Sequence, residues 1–91
     1  MARAKRQVLD FWAPWCGPCM KDAPKVEELK RKGVNVRKVN VDEEPALATQ
    51  YNVTSLPTYV VLDENGKEHT RTQNVLVLFK MTKWLLKILL R

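Results

Sequence analysis

The order of apolar and polar residues predicts a single α/β domain over residues 1–91, with a four-stranded mixed sheet and three flanking helices in the order β-α-β-α-β-β-α. Three observations lead to this fold class. Short β-type runs alternate with helical patterns through the first part of the chain, as strands joined by helices do. Two further β-type runs follow around a glycine-containing turn, as in a hairpin. The length of 91 residues suits one domain and leaves no room for a second.

The chain begins with a predicted strand and a predicted helix. Residues 7–13 form a short, mostly apolar run, which is typical of a strand that is buried on both faces. From Cys19 to about Lys32, apolar residues recur among charged ones, which predicts a helix that packs on a core. Gly33 is suited to end that helix. The apolar positions of the helix are Met20, Ala23, Val26 and Leu29.

The middle of the chain predicts a second strand, a short helix and a β-hairpin. Residues 34–41 alternate apolar and polar side chains, which indicates a half-buried strand. Three acidic residues before Pro45 mark the start of a helix that ends near Tyr51, because carboxylates favour the positive end of the helix dipole. The two hairpin strands and the turn between them are residues 58–62, 67–72 and 63–66.

The last segment is predicted to be a helix that begins after a cap at Asn74 and reaches Arg91. The strand-like composition of residues 75–79 leaves a strand open as the alternative. The helix is unusually apolar, so helix 75–91 could cover core, associate with a second copy or touch a membrane surface. Its length of about 17 residues with several cations argues against a membrane span. The cations form one stripe, at Lys80, Lys83, Lys87 and Arg91.

The charge balance is basic, with 16 Lys and Arg against 10 Asp and Glu, a formal net charge of +6. The positive residues are scattered, and no zinc-finger spacing or RNA-binding aromatic signature accompanies them. We therefore expect a solvated surface that biases which proteins dock, and no nucleic-acid partner. The N-terminus lacks the apolar core of a signal peptide, so the expected location is cytoplasmic.

The two cysteines, Cys16 and Cys19, are three positions apart. A disulfide over so short a loop contributes little to stability, which indicates a chemical role for the pair. Cys16 falls between a buried strand and a helix N-terminus, where unpaired N–H groups and the helix dipole should lower the pKa of its thiol. The thiolate attacks disulfides, and Cys19, one turn inward, can attack the mixed disulfide that results.

A metal site and a bound cofactor are not expected. The spacing of the cysteines is half of a zinc site, and the chain offers one histidine, His69, so zinc would need two chains that share four cysteines. A purely structural disulfide is the other alternative. His69 itself is expected to be a solvated strand residue.

Asp10 stands in the middle of the first apolar strand, where its carboxyl should be buried. Burial should raise its pKa towards neutrality and suit it to accept and return the proton of Cys19. The alternative is that Asp10 bonds to nearby backbone without a catalytic role.

Residues 10–19, DFWAPWCGPC, resemble the active-site stretch of the thioredoxin family. Segments 38–42, 51–58 and 63–67 follow the family's order and spacing, so the resemblance covers roughly residues 7–73. It implies a thioredoxin-like fold and a thiol–disulfide oxidoreductase that reduces protein disulfides by dithiol exchange. Cys16 would attack, Cys19 would be the resolving cysteine, and a thioredoxin-reductase-type protein would supply electrons for redox homeostasis.

The resemblance also implies roles for residues around the cysteines. Pro57 would follow a cis peptide bond and leave the backbone near Leu56 free to pair with an extended substrate. Trp12 would support the loop from below, and Lys38 would be the charge partner of Asp10. The residues implied to contact the substrate are Trp15, Gly17, Pro18, Ser55, Leu56, Pro57 and Asn74.

The chain departs from the family in two places. Family members usually carry a strand and a helix before the active-site strand, so here the expected strand order is 34–41, 7–13, 58–62, 67–72, with 34–41 at an edge that Arg37 and Lys38 help protect. Asn74 stands where the family usually has glycine, which leaves recognition by the reductase open. Two other functions stay open, a non-catalytic binding subunit and a glutathione-dependent glutaredoxin.

Overall fold

The structure, a computed structural model, describes residues 6–87. In this range the predicted β-α-β-α-β-β order is confirmed, and helical structure follows it. The elements are β1 (Gln7–Trp12), α1 (Gly17–Arg31), β2 (Asn35–Asn40), α2 (Pro45–Gln50), β3 (Thr58–Leu62), β4 (Glu68–Thr72), α3 (Val75–Lys80) and α4 (Thr82–Lys87).

The four strands form one mixed sheet in the order β2-β1-β3-β4, which confirms the predicted order. β1 runs parallel to β2 and antiparallel to β3, and β4 pairs antiparallel with β3. β2 therefore has one partner among the described strands. Arg37 on this edge is exposed and its guanidinium bonds Glu44 at 2.6 Å, whereas Lys38 turns inward over the ring of Trp12.

Side chains of β1 alternate between two hydrophobic clusters, so the strand is buried on both faces, as predicted. Val8 belongs to the larger cluster, together with side chains of α1, α3 and α4. Leu9 and Phe11 belong to the second cluster, on which α2 and the segment after it pack. The sheet therefore has more helical cover on the Val8 face than on the Phe11 face.

The inward face of α1 differs in part from the apolar stripe predicted. Val26 and Leu29 are buried, but Met20 is 50% exposed, so its assignment to the core was wrong. Inward positions follow the spacing 19, 22, 26 and 29, which places Met20 on the outer side. Gly33 has a φ of 101°, the left-handed conformation that ends a helix, as predicted.

The last segment is helical, which excludes the strand alternative for residues 75–79. It consists of two short helices, α3 and α4, separated by Met81, where one helix had been expected. The Asn74 side chain caps α3 by accepting a hydrogen bond from the Leu76 backbone at 2.9 Å. Residues 88–91 and the side chain of Lys87 lie outside the described part, so the cation stripe is described at Lys80 and Lys83 alone.

Most apolar side chains of α3 and α4 pack on the Val8 cluster, with Val75, Leu78 and Leu85 fully buried. Leu76 is the large apolar side chain of these helices that stays 52% exposed. Among residues 6–87, no helix has the length and apolar character that crossing a membrane requires. Covering core is thus one function of this apolar segment, and association with a second copy and contact with a membrane surface both stay predictions.

Trp84 connects α4 with β4 and with the residue before β1 through its contacts with His69 and Arg6. His69 of β4 stacks on its ring at 4.2 Å, and the Arg6 guanidinium lies 4.0 Å from the ring centroid. Arg6 also donates a 2.7 Å hydrogen bond to the Trp84 carbonyl and bonds Glu64 at 3.1 Å. His69 was expected to be a solvated strand residue. It lies in β4 and is exposed overall, although one face of its ring stacks on the Trp84 indole.

Candidate active site

Cys16 and Cys19 lie at the N-terminus of α1 and form a disulfide, with their Cα atoms 5.3 Å apart. Cys16 is the N-cap residue, and its Sγ accepts a hydrogen bond from the Cys19 backbone N–H at 3.2 Å. The helix behind it has 15 residues, so its positive end points at this sulfur. A negative charge on Cys16 Sγ would therefore be stabilised after reduction.

A groove of about 560 Å³ opens beside the disulfide. Cys16 lines this groove and Cys19 does not, although each of the two residues is 6% exposed. The groove is bounded on one side by residues of the α1 N-terminus and on the other by residues of the segment before β3. Its lining consists of Trp15, Cys16, Gly17, Pro18, Val41, Ala48, Val53, Thr54, Ser55 and Leu56.

The segment before β3 is held by hydrogen bonds at Ser55. The Thr58 hydroxyl donates to the Ser55 carbonyl at 2.7 Å, and the Gln73 amide bonds the Ser55 hydroxyl. The peptide bond between Leu56 and Pro57 is cis, as the resemblance implied. Leu56 packs on the cluster formed by Ala13 and the two cysteines, so the segment lies against the disulfide.

The structure brings most of the implied substrate contacts together, with two exceptions. Trp15, Gly17, Pro18, Ser55 and Leu56 line the groove. Pro57 is buried beside it and Asn74 caps α3, and neither contributes to the lining.

The two tryptophans before the cysteines have different environments. Trp15 is 69% exposed, and its indole Nε1 donates a 2.9 Å hydrogen bond to Asp42 Oδ2. Trp12 is half-buried against the Ala13–cysteine cluster, and Lys38 Nζ lies 4.6 Å from its ring centroid. Trp12 thus packs against the loop that carries the disulfide.

Asp10 is 4% exposed, and burial raises the pKa of its carboxyl from 3.8 to about 6. Lys38 opposes this increase and the negative charge of Asp22 adds to it, while no hydrogen bond contributes. Lys38 is the β2 partner of Asp10 in the strand register, but the described ion pairs do not include one between them. Asp10 is therefore a buried carboxyl that titrates close to neutral pH.

Several residues of this site were not identified from the sequence. Asp22 and Tyr59 form a hydrogen bond of 3.0 Å in which the Tyr59 hydroxyl donates to Asp22 Oδ2. Asp42 binds Trp15, and the remaining groove residues are Val41, Ala48, Val53 and Thr54. One signal for Asp22 is present in the sequence, because it stands three residues after Cys19 and four before Val26, the spacing of one helix face.

The described residues contain no group of three or more His, Cys, Asp or Glu side chains that could hold a metal ion. The two sulfurs are bonded to each other instead.

Comparison with known proteins gives a consistent set of relatives. The model of the family described as Thioredoxin matches residues 1–87. Thioredoxin M-type, chloroplastic, of Spinacia oleracea is 49% identical over 63 residues, which are 66% of this chain and 34% of that protein. Thioredoxin 1 of Synechococcus elongatus is 44% identical over 66 residues, 69% of this chain and 62% of that protein. The chain thus matches about a third to three-fifths of the length of these relatives.

Solved structures of thioredoxins superimpose on more of the chain than the sequence matches cover. The structure of Fasciola hepatica thioredoxin superimposes with a TM-score of 0.81 at 38% identity, over 91% of this chain and 83% of that one. The oxidized form of mitochondrial thioredoxin 3 from Saccharomyces cerevisiae gives a TM-score of 0.76 at 35% identity, over 90% and 80% of the two chains. With the cysteine pair at a helix N-terminus, the cis peptide before Pro57 and a family match over residues 1–87, this chain belongs to the thioredoxin family.

Proposed function

We propose that this chain is a thiol–disulfide oxidoreductase that reduces disulfides of other proteins. The observation that carries the proposal is the placement of Cys16 Sγ at the N-terminus of a 15-residue helix and in the wall of the groove. This position stabilises a thiolate and also presents it to an extended substrate. The matches to thioredoxins support the same activity.

The proposed reaction has two exchange steps. In the dithiol form, the Cys16 thiolate attacks one sulfur of the substrate disulfide, and the other substrate sulfur leaves as a thiolate that takes up a proton. Cys19 then gives its proton to Asp10, directly or through one water, and its sulfur attacks Cys16 Sγ. The substrate's second sulfur leaves and is protonated. The chain ends as the Cys16–Cys19 disulfide, having transferred two electrons. Of the two protons that the substrate gains, one comes from Cys19 by way of Asp10 and the other from the solvent, which had taken up the proton of Cys16.

Asp10 suits the second step because it is buried on the sheet face that α1 covers and titrates at about pH 6. A base with such a pKa can accept a thiol proton near neutral pH and release it afterwards. Lys38 would act on Asp10 through its charge. The contacts proposed for the substrate are Trp15, Gly17, Pro18, Ser55, Leu56, Pro57 and Asn74, with Trp12 as support.

The roles of the two cysteines can be separated with a matched pair of variants, Cys16→Ser and Cys19→Ser. With insulin as the disulfide substrate, wild type should turn over and both variants should not. Cys19→Ser should accumulate a covalent complex with the substrate, visible by mass spectrometry, because its nucleophile is intact. A complex that forms with Cys16→Ser instead, or with neither variant, would contradict the assignment.

The electron donor and the compartment belong to the same proposal. We expect a thioredoxin-reductase-type protein to reduce the Cys16–Cys19 disulfide in the cytoplasm. Re-reduction rates should be higher with such a reductase and NADPH than with glutathione at equal reducing capacity. Thiol trapping in fractionated cells tests the location, since a chloroplastic relative exists as well as bacterial ones.

A further inference from the structure

A row of four side chains crosses the sheet beneath α1. In the strand register Lys38 of β2 faces Asp10 of β1, Asp10 faces Tyr59 of β3, and Tyr59 faces Thr72 of β4. Residues directly opposite one another in adjacent strands point to the same face of the sheet. Tyr59 belongs to the cluster that α1 packs on, so this is the α1 face. Lys38, Asp10 and Tyr59 are therefore neighbours on one surface.

α1 contributes a second carboxylate above this row. The buried residues of the helix are Cys19, Val26 and Leu29, and Asp22 occupies the remaining position of the same inward stripe. An apolar side chain is the usual choice at such a position, because a charge there is partly desolvated. Asp22 is half-buried, and the Tyr59 hydroxyl donates to its Oδ2 at 3.0 Å.

Tyr59 thereby connects the two carboxylates. Its backbone is paired with Asp10, the residue is 1% exposed, and its hydroxyl holds Asp22. Burial and the negative charges of Asp10 and Asp22 raise the pKa of Tyr59, so the phenol stays protonated and remains a donor at neutral pH. A buried phenol has few alternative partners, which fixes the direction of the Asp22 side chain.

The charges around Asp10 act in opposite directions. Lys38 favours the carboxylate of Asp10 and Asp22 disfavours it. Tyr59, the neighbour of Asp10 on β3, is neutral, and the sulfurs of Cys16 and Cys19 at the start of α1 are joined in a disulfide and do not titrate. On its own helix, Asp22 has exposed lysines at positions 21 and 25 for neighbours, and α3, which packs on α1, carries exposed Lys80.

We propose that Asp22, anchored by the Tyr59 hydroxyl, is a positioning residue for the proposed reaction: its charge offsets that of Lys38 and sets the pH range in which Asp10 takes the proton of Cys19. The effect of Asp22 on the reaction rests on the proposed exchange activity, whereas the effect of its charge on the Asp10 carboxyl does not. The proposed function and the charge effect can therefore be tested separately.

The decisive measurement is the titration of the Asp10 carboxyl by carbon-13 NMR in the disulfide form of the full chain. Asp22→Asn should move the Asp10 midpoint to lower pH, by about half a unit for the loss of one nearby charge. Tyr59→Phe should move it in the same direction by less, because Asp22 then turns towards water. Glu28→Gln removes a carboxylate from the exposed side of α1 and should leave the midpoint unchanged.

Activity gives the second readout. The acid limb of the pH–rate profile for disulfide exchange should shift with the Asp10 midpoint, so that Asp22→Asn is roughly three-fold faster than wild type at a pH on that limb. In an Asp10→Asn background the Asp22→Asn substitution should have no effect on the limb. If the role of Asp22 is purely structural, Asp22→Asn should lower stability and leave both the Asp10 midpoint and the acid limb of the pH–rate profile unchanged.

An unchanged Asp10 titration in Asp22→Asn overturns the proposal, and so does an equal shift in Glu28→Gln. A shift in Asp22→Asn that Tyr59→Phe does not reproduce overturns the anchoring by Tyr59. Asp22→Ser, a smaller uncharged replacement, provides the same test where Asn disturbs the helix. If wild type exchanges no disulfides, the proposed function fails, yet the NMR titrations still decide whether Asp22 acts on Asp10.

Discussion

The indole nitrogen of Trp15 donates a 2.9 Å hydrogen bond to Asp42, although the Trp15 residue is 69% exposed. Asp42 follows β2, so this bond connects the loop before α1 with the loop after the neighbouring strand. An exposed aromatic side chain would otherwise sample several rotamers, and ordering it on binding costs about 0.5 to 1.5 kcal/mol. Asp42 thus holds Trp15 at the mouth of the groove before a substrate arrives.

Asp42→Ala should therefore raise the KM for protein disulfides, by about two- to ten-fold for the cost of ordering one side chain. kcat should change little, because the cysteines and Asp10 are untouched. Asp42→Asn keeps an acceptor oxygen and should restore most of the affinity. Steady-state kinetics on a disulfide-containing protein give both constants, and a fall in kcat with constant KM would contradict this role.

Asp10→Asn should make the folded protein more stable at pH 7. Burial raises the pKa of Asp10 from 3.8 to about 6, so the folded state binds this proton more tightly than the unfolded chain. The contribution of Asp10 to the stability of wild type should consequently fall as pH rises from about 4 to about 6 and stay low above that range. The variant should gain roughly 1 to 3 kcal/mol in the free energy of unfolding at pH 7 and nothing below pH 4.

Urea denaturation of the disulfide form at several pH values measures this gain, with Glu28→Gln as the exposed control. The same Asp10→Asn variant should exchange disulfides at least ten-fold more slowly at pH 7, because a general base is missing. Higher stability together with lower activity is the expected combination. If Asp10→Asn is less stable than wild type at pH 7, the charged Asp10 carboxylate does not destabilise the folded state.

Asn74→Ala should destabilise the chain by about 1 kcal/mol, because α3 loses the side-chain acceptor for the Leu76 backbone N–H. Asn74→Gly should cost only a few tenths of a kcal/mol, since glycine is tolerated at a cap. The pair can be compared by thermal unfolding. No loss in Asn74→Ala would mean that the cap contributes nothing to stability, and that Asn74 has a different function here.

Trp84→Ala should lower the free energy of unfolding by about 2 to 4 kcal/mol, since the indole packs on the core and contacts both Arg6 and His69. Leu76→Ala on the preceding helix is the control. Leu76 is 52% exposed, and its truncation should stay within about 0.5 kcal/mol of wild type. A loss no larger for Trp84 than for Leu76 would show that α4 is not held by this residue.

The fold was predictable because its signals are local and agree with one another. Alternating residues in 34–41, the turn at 63–66 and the continuous apolar run at 7–13 each specify one element, and the family motifs give their order. The division of the last helix at Met81 had no such signal, since neither glycine nor proline marks it. Trp84 and Leu85, which follow the break, pack on the Val8 cluster.

In the candidate site, the placement of the two cysteines could be predicted from the sequence, whereas most of the supporting contacts could not. The positions of Cys16 and Cys19 follow from their spacing between a predicted strand and a predicted helix, and the burial of Asp10 follows from its apolar neighbours. Asp22 did not, because a charged residue within a helix is typical of a solvated face, and its inward direction depends on where Tyr59 lies. The bond between Trp15 and Asp42 likewise joins residues 27 positions apart and needs the sheet to bring them together.

The groove and the hydrophobic interior share side chains. Ala48, Val53 and Leu56 line the groove with one surface and pack on the Phe11 cluster with another. Whatever occupies the groove therefore presses on the cover of that cluster. Amide hydrogens of β1 and β3 should exchange with solvent more slowly when a peptide is bound. A ligand in the groove would thus stabilise these strands against local unfolding without contacting them.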